Sequence, residues 1–349
     1  MTRTISKSEF ASLSAVCIGG GTGVPSSIQA LRTLGICPDA VVSVADDGGS
    51  SGLLRAHTGH VPPGDLRKCM VALAADPKGP WTKAFKERFE YANDHTLGNL
   101  ILTALQETTG SLAKSIALCE ELLDTCGHTY PASLESVLLM GVTQDGQRLA
   151  GQSTLCKSET ALSRVALEPA DAAANPDAVA AIKQADIIVL GPGSLFTSIL
   201  PNLLIPGIRE AIRESAATTV FVCSLSDVQG ETWGLDAAEH VDALLEHGLK
   251  ERLDYVLANK QHESESTGNI TGYFATIGTD TNPMPRIEES LPKPVERPVV
   301  INDAIVAKIR EYGVKVLVRE MNDPQRASWH DPQALAQALA SIIVDSLGL

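Results

Sequence analysis

The sequence predicts an α/β fold built on a doubly wound, mostly parallel sheet with helices on both faces. Two observations lead to this prediction. The 349 residues are 44% hydrophobic but only 4% aromatic, a composition typical of aliphatic helices packed on a parallel sheet. Short apolar runs also alternate with helical patterns along most of the chain, which indicates successive βαβ units. We expect one domain over residues 1–349.

The first βαβ unit is predicted near the N-terminus. An apolar strand at 15–18 leads into a glycine loop at 19–23 and then into a helical pattern at 26–34. A second strand at 40–44 ends in an acidic and glycine-rich loop at 45–52. Because the carboxyl ends of parallel strands meet at one edge of a sheet, we expect the two loops to lie together.

The middle of the chain departs from this rhythm. A helix is predicted from Asp65 to about residue 75, and residues 80–127 read as helical with an interruption at His95–Asn99. From 133 to 168 the pattern changes to short alternating runs separated by turn residues, such as 148–157. We interpret this part as a small β-rich insertion in the α/β domain.

The α/β alternation returns after the insertion. Asn175 and Pro176 are a typical helix start, and a buried strand at 186–190 runs into Gly191 and its neighbours. Further helices and strands are predicted at 205–214, 219–223, 236–247 and 253–258, and then in a helix, a strand and a final helix from about Asp331. Residues 261–297 are rich in Pro, Gly, Ser, Thr and Glu and read as a loop-like, mobile segment.

Composition limits the classes of partner. The formal net charge is −14 and no run of Lys or Arg forms a stripe, so nucleic acid is not an expected partner. A small phosphorylated ligand is compatible, because backbone N–H groups and one or two cations can hold phosphates locally. Seven scattered cysteines without a C-x-x-C pattern, no signal peptide and no apolar run long enough for a membrane span predict a cytoplasmic protein.

The glycine loop at 19–23 is the first candidate ligand-binding element. Glycines allow a phosphate to approach the backbone closely, and Thr22 adds a hydroxyl; a simple tight turn is the alternative. The dinucleotide-binding fingerprint is only partly matched, because Val24 occupies its last glycine position. Asp46 lies at the end of the second strand, where that fold places a ribose-binding carboxylate, so the dinucleotide interpretation stays open.

The loop at 45–52 is the second candidate. It combines Asp46 and Asp47 with two glycines, two serines and a further glycine, a set suited to phosphate or Mg²⁺ as well as to ribose. The alternative is that one aspartate faces solvent and the other caps a turn.

The Gly191 loop is the third candidate, a glycine-rich loop that follows a strand in the second half of the sheet. Its hydroxyl groups available to a phosphate or a sugar are those of Ser194, Thr197 and Ser198. Asn202 is more simply explained as the cap of the next helix.

Three further elements have structural alternatives. Asp65 is predicted as a helix N-cap and Arg67 as a surface cation, unless their neighbourhood makes them ligands. His95 and Asn99 lie one helical turn apart, and a polar core contact is the default for His95. The sequence contains no His/Cys set with zinc spacing, no G-x-S-x-G nucleophile motif and no evident general acid/base pair.

Five motifs together resemble one protein family. They are Gly-Gly-Gly-Thr-Gly at 19–23, Val-Ala-Asp-Asp-Gly-Gly-Ser-Ser-Gly at 44–52, Pro-Pro-Gly-Asp-Leu-Arg at 62–67, His-Thr-Leu-Gly-Asn at 95–99 and Gly-Pro-Gly-Ser-Leu-Phe-Thr-Ser-Ile at 191–199. In this order they resemble the YvcK-like proteins, which belong to the superfamily of CofD, the 2-phospho-L-lactate transferase. The resemblance covers residues 15–260.

The resemblance implies a Rossmann-like core and a cytoplasmic bacterial protein. It also implies binding of a nucleotide sugar such as UDP-N-acetylglucosamine and a regulatory role in cell shape and in growth on gluconeogenic carbon sources. The transferase branch of the superfamily instead uses Mg²⁺ to move a phospholactyl group from a nucleotide donor to a deazaflavin, and that activity is the alternative. The scarcity of aromatic residues favours binding, because a deazaflavin needs a roomy aromatic slot. We expect a homo-oligomer, most simply a dimer.

By motif position, Asp46 and Asp47 would be the Mg²⁺ or phosphate-side carboxylates, and the Gly191 loop would hold the pyrophosphate. The sequence departs from the family pattern at Leu53, Phe196 and Trp329, where relatives have Arg, Tyr and Arg. The candidate ligand-binding residues are Gly20, Gly21, Thr22, Gly23, Asp46, Asp47, Gly48, Gly49, Ser50, Ser51, Asp65, Arg67, His95, Asn99, Gly191, Pro192, Gly193, Ser194 and Thr197.

Overall fold

The computed structural model describes residues 7–260 and 296–349. Its strands are, in chain order, β1 (Ala15–Gly19), β2 (Asp39–Val42), β3 (Arg88–Phe89), β4 (His95–Thr96), β5 (Thr129–Pro131), β6 (Leu138–Thr143), β7 (Arg148–Ala150), β8 (Leu162–Glu168), β9 (Ile187–Leu190), β10 (Thr218–Val222), β11 (Ser226–Val228), β12 (Tyr255–Asn259), β13 (Glu296–Pro298), β14 (Lys315–Arg319), β15 (Asn322–Asp323) and β16 (Arg326–His330).

Helices connect the strands of the central sheet, and further helices flank them. They are α1 (Lys7–Ala11), α2 (Val24–Leu34), α3 (Gly49–Thr58), α4 (Gly64–Leu73), α5 (Pro80–Lys86), α6 (Leu97–Thr109), α7 (Leu112–Leu123), α8 (Gln152–Leu155), α9 (Pro176–Gln184), α10 (Leu200–Leu203), α11 (Pro206–Glu214), α12 (Ala237–Leu244), α13 (Asp303–Glu311) and α14 (Pro332–Leu347). A 3₁₀ turn lies at Glu90–Ala92, and π-helical turns lie at Leu195–Ile199 and Leu245–Leu249.

Seven parallel strands form the central sheet, in the order β14-β12-β10-β9-β1-β2-β5. The chain moves outward from β1 through β2 to β5, returns to β9 on the other side of β1, and then moves outward through β10, β12 and β14. The sheet is therefore doubly wound. Its topological switch point lies between β1 and β9, where a crevice opens at the carboxyl ends of the strands.

Local sequence explains the first unit of this sheet. All five residues of β1 are buried, as expected for a central parallel strand covered on both faces. Helix α2 has Pro25 in its first turn and ends at Gly35, whose φ of 95° suits a left-handed C-cap. Asn175 caps α9 by accepting the N–H of Asp177, which confirms the predicted helix start.

The predicted fold class is confirmed, including the helices on both faces and the small antiparallel insertion. Helix α2 packs against α4 and α14, and α9 packs against α11. The insertion is a three-stranded sheet in the order β7-β6-β8. No helix in residues 7–260 or 296–349 is long and apolar enough to cross a membrane.

Three local predictions need correction. The loop predicted at 45–52 ends early, because α3 begins at Gly49; Ser50 and Ser51 are buried by tertiary contacts that override their weak helix propensity. Within the predicted alternating run 148–157, Gln152–Leu155 is helical. The helical region 80–127 contains the strand pair β3–β4.

The segment predicted to be mobile, residues 261–297, lies outside the described residues except for its last two positions. These belong to β13, which pairs with β11.

Candidate functional site

Two glycine-rich loops meet at the switch point of the sheet, one after β1 and one after β9. A Cβ atom on Gly23 would overlap the carbonyl oxygen of Pro192, although Gly23 has the ordinary helical angles φ −79° and ψ −50°. The hydroxyl of Ser27 donates a 2.7 Å hydrogen bond to the carbonyl of Gly191. The two loops are therefore in contact at the edge of the sheet where doubly wound folds have their ligand-binding cleft, and Gly23 is needed for their close approach.

Asn202 is a third connection between the loops. Its side-chain amide is fully buried and donates to the carbonyl groups of Ser198 at 2.8 Å and of Gly19 at 3.2 Å. The prediction that Asn202 caps the following helix is wrong, since the N-cap position of α11 is Ile205. On the outer side, the hydroxyl of Ser224 donates to the carbonyl of Gly193 at 2.8 Å.

Asp65 joins the first loop to α4. Its carboxylate accepts the N–H of Gly21 at 2.6 Å and forms a 2.8 Å ion pair with Lys68. The N-cap prediction for Asp65 is wrong, because Pro63 occupies the N-cap position and Asp65 lies in the first turn. A carboxylate in the first turn also interacts favourably with the positive end of the helix dipole. Asp65 thus holds the glycine loop at 19–23 against the start of α4.

The carboxylates of Asp46 and Asp47 accept hydrogen bonds from different partners. Asp46 accepts the N–H of Gly48 at 3.0 Å, so it caps a turn. Asp47 accepts the N–H of Ser153 at 2.7 Å, so it holds the insertion against the loop instead of facing solvent. Burial, and then the negative charge of Asp65, raise the pKa of Asp46 above the ordinary range. Asp46 is therefore an electrostatically strained carboxylate that a cation would relieve.

The oxygen atoms that the protein offers suit Mg²⁺ only if the bound ligand completes the coordination of the ion. Within the described part of the chain, no group of three or more His, Cys, Asp or Glu side chains could hold a metal ion. Asp46 and Asp65 interact as neighbouring carboxylates, and Mg²⁺ commonly binds one or two carboxylates together with phosphate oxygens and water. Asp46 is therefore the carboxylate available to such an ion, because both oxygens of Asp65 are engaged by Gly21 and Lys68 and Asp47 is engaged by the insertion.

Four other candidate residues form one hydrogen-bonded chain below the cleft. Arg67 donates from Nε to Asn99 at 2.9 Å, Asn99 donates to the hydroxyl of Ser50 at 2.9 Å, and Ser50 is joined to Nδ1 of His95 at 2.8 Å. Arg67 is buried and burial lowers its pKa, so the prediction of a surface cation is wrong. Gly98 allows the contact, because a Cβ atom there would lie 2.7 Å from the Arg67 side chain. These hydrogen bonds connect α3, α4 and α6.

Glu231 is a component that no local sequence pattern identified. Its carboxylate is buried and its Oε1 atom accepts the N–H groups of Phe196 at 2.9 Å and Thr197 at 3.0 Å, and the Thr197 hydroxyl at 3.2 Å. Burial raises the pKa of Glu231. The first N–H groups after the Gly191 loop, which are typical anion-binding groups, are thus already taken by an internal carboxylate.

Exposure separates the candidates that a ligand can reach from those that support the cleft. Exposed or half-buried positions are Gly21, Thr22, Gly23, Asp46, Asp47, Gly48, Gly49, His95, Gly193 and Ser194. Buried positions are Gly20, Ser50, Ser51, Asp65, Arg67, Asn99, Gly191, Pro192 and Thr197. The accessible set consists mainly of loop backbone and two carboxylates.

The three departures from the family pattern have different environments. Leu53 is exposed on α3, and Phe196 is buried beside the contact with Glu231. Trp329 lies on β16 and stacks with Arg326, whose guanidinium carbon is 4.4 Å from the ring centroid.

Comparisons with known proteins agree with this architecture. The family model described as 2-phospho-L-lactate transferase CofD matches residues 15–325. A relative from Halalkalibacterium halodurans named gluconeogenesis factor is 42% identical over 235 residues, covering 66% of this chain and 73% of the relative. A Nostoc sp. relative, provisionally given the same name, is 41% identical over 253 residues, covering 71% of this chain and 55% of the relative.

A solved structure is also similar over almost the whole chain. A crystal structure of a UPF0052 family member from Bacillus halodurans has a TM-score of 0.79 and 32% sequence identity, and the match covers 94% of this chain and 98% of that one.

Proposed function

The chain belongs to the CofD family, and from this premise we propose that it binds a nucleotide sugar such as UDP-N-acetylglucosamine, with Mg²⁺, at the switch-point cleft. We further propose that it acts as a regulator of cell shape and of growth on gluconeogenic carbon sources, and not as a transferase. The name gluconeogenesis factor of a relative supports the regulatory part.

The contact between Gly23 and Pro192 carries this proposal most strongly. It places two glycine-rich loops from the two halves of the sheet against each other at the position where doubly wound folds bind nucleotides. The ligand's diphosphate would lie over the accessible backbone of Thr22–Gly23 and Gly193–Ser194, since the N–H of Gly21 is bonded to Asp65. Because Glu231 occupies the N–H groups of Phe196 and Thr197, the diphosphate would bind before the start of that helical turn and not within it.

Calorimetric titration tests the ligand directly. The purified protein is titrated with UDP-N-acetylglucosamine, UDP-glucose, GDP and NAD, each with and without Mg²⁺. We expect saturable binding of a UDP-sugar that stays unconsumed on long incubation. Preference for GDP would contradict the proposal and support the transferase alternative, and preference for NAD would support a dinucleotide site.

Replacement of Asp46 tests the cation. Asp46→Asn is expected to weaken UDP-sugar binding in the presence of Mg²⁺ by on the order of tenfold or more, because a carboxylate ligand of the ion is lost. Without Mg²⁺ the change should be small. Asp47→Asn is the matched control, since Asp47 binds the backbone of Ser153; a larger Mg²⁺-dependent loss in this control would assign the ion to Asp47.

The Mg²⁺ dependence should also vary with pH. Because the folded-state pKa of Asp46 is raised, this carboxylate takes up a proton at a higher pH than an ordinary aspartate, and protons then compete with the cation. The benefit of Mg²⁺ should therefore diminish as the pH falls towards the raised pKa, starting above the usual range for aspartate. Titrations at several pH values measure this, and a Mg²⁺ benefit that is constant down to pH 4 would exclude the role of Asp46.

A further inference from the structure

Two cysteines that are far apart in sequence meet at the edge of the sheet opposite the cleft. Cys37 precedes β2 and Cys126 precedes β5, and both are exposed free thiols. The pairing of β2 with β5 aligns Ala40 with Thr129. Continued backward by three residues, past the paired strands, this register brings Cys37 beside Cys126. Partial burial of its sulfur, and then the adjacent Cys37, raise the pKa of the Cys126 thiol.

The backbone holds the two loops together. The N–H of Ala40 donates to the carbonyl of His128, and the N–H of His128 donates to Asp39, both at 2.8 Å. A Cβ atom on Gly127 would overlap the carbonyl oxygen of Pro38. Adjacent strands are roughly 4.8 Å apart, which falls within the Cα separations that a disulfide spans. Two cysteines held at such a spacing are suited to a disulfide link.

We propose that Cys37 and Cys126 are a peroxide-oxidisable pair that forms an intramolecular disulfide. In the first step the sulfur of one cysteine attacks hydrogen peroxide, gives a sulfenic acid and releases water. In the second step the thiol of the other cysteine attacks that sulfur, the S–S bond forms, and a second water leaves. Two thiols and one peroxide thus give one disulfide and two waters, so no other oxidant is needed.

The link would close a loop of about 90 residues, which reduces the entropy of the unfolded chain. This loop contains Asp46, Asp65 and Arg67 of the first half of the site, so the disulfide would restrain that segment against unfolding.

Peptide mapping of the full-length protein tests the pair. After mild treatment with hydrogen peroxide and blocking with N-ethylmaleimide, a non-reducing digest should contain one peptide linking Cys37 to Cys126. The melting temperature should rise by about 5 °C and return on treatment with dithiothreitol. Cys37→Ser and Cys126→Ser should each abolish both changes.

The two serine variants also trap the intermediate. Dimedone, which labels sulfenic acids, should label the remaining cysteine of each variant after peroxide treatment, because no second thiol is there to resolve it. Separate oxidation of the two residues without a linked peptide, or a disulfide between two copies of the chain, would overturn the pairing. An oxidised protein with an unchanged melting temperature would overturn the restraining effect.

Discussion

Gly23→Ala is expected to lower the free energy of unfolding by about 3 kcal/mol, the upper range for an overpacked position. Alanine fits the backbone angles of Gly23 without strain, so the loss would come from the overlap of its Cβ atom with the carbonyl oxygen of Pro192. The two loops would have to move apart. The affinity for a nucleotide sugar should therefore fall together with the free energy of unfolding. Urea unfolding measures the first effect and calorimetric titration the second.

Gly313→Ala provides the control for this variant. Gly313 has a φ of 82° and nothing within 4 Å of an added Cβ atom, so alanine there costs only its unfavourable conformation, about 1 kcal/mol. If Gly23→Ala proved no more destabilising than Gly313→Ala, the two glycine loops would not be in contact at the switch point.

Glu231→Ala is expected to destabilise the protein by about 3 kcal/mol, because two buried N–H groups would lose their partner and a cavity would form. Glu231→Gln should cost less than about 1 kcal/mol. All three bonds from Phe196 and Thr197 go to one carboxylate oxygen, Oε1, and a glutamine keeps that acceptor. Equal losses in the two variants, measured by urea unfolding, would show that those bonds do not fix the second loop.

The same residue should affect the pH dependence of stability. Burial raises the pKa of Glu231 in the folded state, so the folded protein binds more protons at this site than the unfolded chain does. The free energy of unfolding should therefore decrease as the pH rises from the ordinary glutamate value, about 4.3, through the raised pKa. Glu231→Gln should lack this contribution to the pH dependence of the free energy of unfolding. A variant whose pH profile matches that of the unmodified protein would rule out the titration of Glu231 as its source.

Much of the fold could be predicted because it depends on local patterns. The apolar run of β1 with the glycines after it, and the cap and proline at Asn175 and Pro176, each identify an element within a few neighbouring residues. The α3 helix shows where this approach fails. Gly49, Ser50 and Ser51 are poor helix formers, and the burial of Ser50 and Ser51 by tertiary contacts makes the segment helical.

The candidate site, like the fold, could be predicted from the sequence only in part. Local sequence identified the glycine loops and the carboxylates of Asp46 and Asp65, since chemistry at strand ends follows from residue type and position. It assigned Asp65 to a helix cap, whereas in the structure Asp65 binds Gly21. It also assigned Arg67 to the surface, whereas Arg67 is buried against Asn99. These partners are contributed by other elements and depend on how the helices pack.

Residue types and their order alone therefore establish the alternation of strands and helices, the family and the loops that end the central strands. Only the tertiary structure brings Glu231 to the N–H groups of Phe196 and Thr197, and Cys37 to Cys126. The physical reason is that these contacts follow from strand order and register, which juxtapose residues that are distant in sequence. No local propensity records which distant side chain will satisfy a buried donor or lie beside a thiol.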